Sequence, residues 1–172
     1  MEEEKDSEPD PMKNPTTVER ESERALVVTR TFNGPAHIVF EAWTNPELLQ
    51  RWWAPKSFGI SFISCEADVR TGGTYRLVLS HPAFEQPMAF FGRYIEVTPH
   101  SRIVWTNEES ADGPITTVTF EEKDGKTLLV LHELYPSKQA LDDAIASGST
   151  GTGGAGEQFE LLDELLLTLV RP

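Results

Sequence analysis

The chain has 172 residues, a formal charge of −13 at neutral pH and a single cysteine, Cys65. Its length fits one domain, or one domain with a tail. The acidic balance argues against nucleic acid or an anionic membrane surface as partner, because both need clustered Lys and Arg. One thiol excludes an intramolecular disulfide framework or a multi-cysteine zinc site, and with no secretory leader pattern and no long apolar run a cytoplasmic protein is expected.

Residues 1–23 carry nine acids against three bases and lack apolar periodicity. They read as a disordered acidic tail, with an acidic interaction segment as the alternative. A single domain is expected over residues 24–172. It opens with a strand, RALVVTRTF. Asn33-Gly34-Pro35 ends this strand, and Pro35 suits the first turn of a helix over Ala36 to Trp43. Thr44 or Asn45 then caps a second short helix, PELLQRWW, with Pro46 in its first position. On such a helix Trp52 and Trp53 point about 100° apart, so one can face the core while the other guards a cavity mouth.

Strands with short turns follow. Ile60 to Arg70 is expected to put Ile63, Cys65, Ala67 and Val69 on one face. Glu66, Asp68 and Arg70 fall on the other, as a solvated face with an internal salt bridge. Thr74 to Ser80, Met88 to Val97, Arg102 to Asn107, Ile115 to Glu121 and Thr127 to Tyr135 continue the series, the last two joined at Asp124-Gly125 by a hairpin signal. Short turns between successive strands predict an antiparallel meander. Ser137 can cap a helix over Lys138 to Ala146. The run SGSTGTGGAG lacks the Lys-Ser/Thr ending of a phosphate loop and reads as a flexible hinge. In EQFELLDELLLTLV, Phe159, Leu162, Leu165, Leu166, Leu169 and Val170 share one side of a helix, Glu160, Asp163, Glu164 and Thr168 fall on the other, and Leu167 is the misfit. Such a helix, about 20 Å long, must bury its apolar side. With only strands available, the expected class is α+β, one long helix across one antiparallel sheet.

The order of elements is similar to the helix-grip fold of the START-like (SRPBCC) superfamily. The stretches FNGPAHIVFEAWTNPELLQRWWAPKSFG, DVRTGGTYR, GRYIEVTPHSRIVWT and TTVTFEEKDGKTLLVLHELYPSK resemble the activator of heat-shock protein 90 ATPase homologues, in their small bacterial branch. The resemblance spans residues 24 to 170. It implies a curved sheet of six to seven strands wrapped around the C-terminal helix, with a hydrophobic cavity between them. Eukaryotic members stimulate a chaperone ATPase largely through a separate N-terminal domain. The tail here is too short to be that domain, so a chaperone partner is only an alternative.

Trp43, Trp52, Tyr75, Phe91, Trp105, His132 and Phe159 are the expected lining of a ligand pocket. The competing reading is that these side chains fill the core. Leu165→Trp is expected to separate the two, by blocking an open cavity or overpacking a filled one. The four histidines form no metal-ligand spacing, so no metal or cofactor is expected. His132 and Glu133, neighbours on a strand, face opposite sides and cannot act as a dyad. No nucleophile elbow is present. The expected function is non-enzymatic binding of a small hydrophobic or aromatic ligand by a monomer or homodimer. A cyclase- or hydrolase-type enzyme on the same scaffold is the alternative.

Overall fold

The computed structural model describes residues 16–53, 59–109, 111–147 and 155–169. Its first element lies inside the segment expected to be disordered. Thr17–Arg20 (β1) pairs antiparallel with Ala25–Phe32 (β2), Val18 standing opposite Val28. Disorder through residue 23 is thereby corrected, while residues 1–15 lie outside the described residues. The edge of β2 presents backbone donors and acceptors that need partners, and a short charged strand can supply them. Arg20 Nη2 anchors β1 through Asp142 Oδ1 at 2.6 Å. Alternation governs β2, where Leu26, Val28, Arg30 and Phe32 are buried.

Pro35, in extended conformation, caps Ala36–Thr44 (α1) from just outside the helix rather than within its first turn. Glu122 Oε1 accepts from the Ala36 N–H at 2.8 Å, satisfying one orphan donor of that helix start with a carboxylate. Asn45 ends α1 and begins Pro46–Trp52 (α2), its side chain accepting from the Glu47 N–H at 3.0 Å. Trp52 is fully buried and donates from Nε1 to the Ala42 carbonyl at 3.0 Å, fastening the two helices together.

Six more strands follow: Ser61–Ala67 (β3), Thr74–Ser80 (β4), Met88–Thr98 (β5), Arg102–Thr106 (β6), Ile115–Lys123 (β7) and Lys126–Leu134 (β8). The order across the sheet is β1-β2-β8-β7-β6-β5-β4-β3, every described pairing antiparallel. The sheet thus has eight strands where six to seven were expected, β1 being the addition. An irregularity between Phe62 and Ser64 breaks the alternation of β3. Ile63 is consequently exposed, while Cys65, Ala67 and Val69 pack against the core as expected. β3 ends at Ala67, before Asp68 and Arg70, which form an exposed ion pair at 2.9 Å.

Asp124 and Gly125 both have positive φ, 56° and 79°, in a two-residue turn between Lys123 and Lys126. That conformation matches the twist of the hairpin it closes. Gly92 has a different role. A Cβ there would lie 2.2 Å from the Thr106 carbonyl oxygen, so only glycine allows β5 to approach β6 this closely.

Ser137 Oγ accepts from the Ala140 N–H at 3.0 Å and opens Lys138–Ser147 (α3). The expected glycine-rich hinge falls largely outside the described residues. Ala155–Leu169 (α4) buries Phe159, Leu162, Leu165 and Leu166 and leaves Leu167 exposed, as its periodicity predicts. Asp163 departs from its expected solvent face and ion-pairs with buried Arg30. Phe32 meets Phe159 edge-on at 5.3 Å between ring centroids, where sheet and helix touch. No helix among the described residues is long and apolar enough to cross a membrane.

Candidate functional site

One rung of the sheet lays the floor of the site. Tyr94, Trp105, Thr116, Glu133 and Leu26 stand side by side on β5, β6, β7, β8 and β2. The neighbouring rung carries Ile103, Val118, Leu131 and Val28. Above this floor lie α4, presenting Gln158 and Phe159, and the end of α2, presenting Trp52 and Trp53. Gln158 Nε2 donates to the Trp53 carbonyl and ties the two roof elements together. α3 closes one side with Ala140 and Ala144, and the β6–β7 connection closes another with Asn107, Glu109, Gly113 and Pro114.

Between these walls is a cavity of about 400 Å³, a size suited to a small organic molecule. A second apolar recess of about 60 Å³, bordered by Leu49, Tyr75, Leu77 and Tyr94, shares Trp43, Trp53, Phe90 and Trp105 with it.

The tryptophans form one network. Trp43 lies 4.7 Å from Trp52, 6.0 Å from Trp105 and 6.3 Å from Trp53, centroid to centroid. Trp52 belongs to the core and Trp53 is half-buried at the cavity, the division expected for adjacent helical residues.

Polar groups interrupt the aromatic walls. Asn107 Nδ2 donates to the Pro114 carbonyl at 2.7 Å and to Thr116 Oγ1 at 2.9 Å, bracing the β6–β7 connection over the floor. Buried Tyr135 points its hydroxyl at Glu133 Oε1 over 3.4 Å. Burial, and then the Glu133 carboxylate, push the Tyr135 phenol well above its ordinary range. Burial likewise raises the Glu109 carboxyl. Two buried polar atoms of the lining residues have no hydrogen-bond partner among the described residues: Trp43 Nε1, a donor, and Glu109 Oε1, an acceptor.

Trp43, Trp52, Trp105 and Phe159 line the main cavity, and Tyr75 lines the smaller recess. Phe91 and His132 line neither, and those two expectations are corrected. Phe91 faces outward beside Arg76, whose guanidinium lies 5.8 Å from the ring centroid; its neighbour Phe90 borders the cavity instead. His132 also faces outward, its Nε2 lying 3.3 Å from Glu21 Oε1. Glu133 takes the inward place, with 4% of its surface exposed. Leu165 packs in the core away from the cavity, so its replacement by Trp would overpack rather than block. Among the described residues no group of three or more His, Cys, Asp and Glu is placed to hold a metal ion.

An open antiparallel sheet carrying a long C-terminal helix, with two short helices after an early strand, defines a helix-grip domain of the START-like class. The chain belongs to the Activator of Hsp90 ATPase homolog 1-like family, whose sequence pattern it matches over residues 33–166. Solved structures share the fold. A crystal structure from Rhodobacter sphaeroides superposes with a TM-score of 0.79 at 24% identity, covering 90% of this chain and 99% of that one. One from Nitrosomonas europaea gives 0.76 at 23% identity, covering 87% and 98%. An AHSA1-like protein from Aeromonas hydrophila gives 0.62 at 17% identity, covering 82% and 94%. No curated protein matches the chain.

Proposed function

We propose that the protein binds a small molecule with a hydrophobic or aromatic body between the sheet and α4, without transforming it. The observation that carries this reading is the cavity of about 400 Å³ bordered by all four tryptophans. Indole rings offer large, stiff apolar surfaces, and the few polar groups among them can orient a guest. A family member in a cytoplasmic setting would act as a carrier or sensor of such a molecule.

The competing reading, a cyclase- or hydrolase-type enzyme, draws on the Glu133–Tyr135 contact inside the cavity. A carboxylate and a phenol in contact can shuttle a proton. Turnover abolished by Glu133→Gln with binding intact would establish that reading against ours. A chaperone partner is carried by the family description alone.

The test uses the neutral dye prodan. Wild-type protein should bind it in the cavity, and Ala144→Trp, which places an indole at the α3 wall, should abolish binding while the fold survives. Binding that is absent in the wild type, or equal in both proteins, would refute the proposal.

A further inference from the structure

Among the described residues, the carboxyl groups that line the cavity have no basic counterpart in its wall. Glu109 and Glu133 lie within it, Asp112 and Asp143 stand exposed at its rim, and no Lys, Arg or His among the described residues lines it. We infer that the guest is an organic cation, an apolar or aromatic body bearing a protonated amine. This deepens the binding reading and rests on it.

Three features favour a cation. First, an anionic guest would meet Glu109 Oε1, a buried acceptor, where it needs a donor, and burying a charge without one is costly. An ammonium meets the opposite situation, because Glu109 Oε1 is buried and accepts no hydrogen bond from the described residues. A charged N–H donated there would be a charge-assisted bond in a partly desolvated site. Second, the walls are indole rings, whose faces attract cations more strongly than other aromatic side chains do. Third, the exposed rim carboxylate of Asp143 belongs to a chain of charge −13 and would draw cations toward the mouth.

The unpartnered donor adds a detail. Trp43 is 5% exposed, borders the cavity and leaves its N–H without an acceptor among the described residues. An ether, hydroxyl or carbonyl oxygen on the body of the amine would meet it. Leaving such a donor unmet is unfavourable, so an amine with an oxygen acceptor should exceed a plain one.

The experiment is calorimetric titration of the full wild-type chain with phenethylamine, phenethyl alcohol and hydrocinnamate, three probes with closely similar bodies. The amine should bind about tenfold or more tightly than the alcohol, and the carboxylate weakest of all. Glu109→Gln should bring the amine down toward the alcohol and leave the alcohol unchanged. Glu41→Gln, on the exposed side of α1, should bind all three as wild type does. If the alcohol or the carboxylate binds as tightly as the amine, the cation inference is overturned while the binding reading stands. If no probe binds and prodan does not bind either, both fall. The comparison of probes needs no variant, so a folding defect in Glu109→Gln leaves it decisive.

Discussion

Trp52 donates its indole N–H to the Ala42 carbonyl at 3.0 Å from a ring with no exposed surface, while Trp53 stands half-buried at the cavity. Substituting phenylalanine should therefore have different effects at the two positions. Trp52→Phe leaves the Ala42 carbonyl buried and unpaired and should cost about 1–3 kcal/mol of stability in urea unfolding. Trp53→Phe should change stability little and weaken prodan binding. Equal stability losses would contradict this division. Cys65 supplies a pH test at the same scale. Burial pushes its thiol up to about 11, with Sγ 3.8 Å from the Pro46 carbonyl oxygen. About one thousandth of it is then thiolate at pH 8, and the thiolate is the reactive form. Labelling of the native protein by a disulfide reagent should be slow at pH 8 and rise about tenfold per pH unit toward 11. Rapid labelling of the folded protein at pH 8 would show the thiol to be accessible and unshifted.

Among the elements, β2 and α4 are joined by more than apolar contact. Arg30 is 3% exposed and reaches Asp163 across the layers, and its Nη1 donates to Thr16 Oγ1 at 2.7 Å. One guanidinium thus links the segment leading into β1, the sheet and the last helix. Removing the arginine takes away the cation that faces the Asp163 carboxylate between the layers, so Arg30→Met should cost about 3–5 kcal/mol. Arg30→Met combined with Asp163→Leu should recover most of that loss, because the pair as a whole must offset its own desolvation. A double variant as unstable as the single one would show that the arginine acts through packing alone. This link was hidden in the sequence. Periodicity put Asp163 on the polar side of its helix, and alternation on β2, which sets Arg30 among Leu26, Val28 and Phe32, gave no sign of the residue that pairs with it. A charge buried by pairing with a residue over a hundred positions away leaves no local pattern.

At the scale of the whole molecule, the fold was largely legible and the site only half so. Seven strands, the two short helices and the grip of α4 follow from turn residues and periodicity, because those signals are local. β1 escaped because its pairing with β2, not its own composition, makes it a strand. The site failed at parity. In TLLVLHELY both alternate sets are apolar, so nothing local decides whether His132 or Glu133 faces inward; the pairing of Thr116 with Glu133 decides it. Adjacent Phe90 and Phe91 pose the same ambiguity on β5. The tryptophans were recognisable as a group because their bulk and spacing leave few places to go.

Their closeness has an optical consequence. Trp43, Trp52, Trp53 and Trp105 are the whole tryptophan content of the chain, and each ring centroid lies within 6.0 Å of at least one other. At such separations an excitation absorbed by one indole passes to its neighbours before it is emitted. The protein therefore fluoresces as one coupled source rather than four independent ones, and that source borders the cavity. An occupant would perturb the entire intrinsic emission at once, and the protein would then be its own reporter without a label.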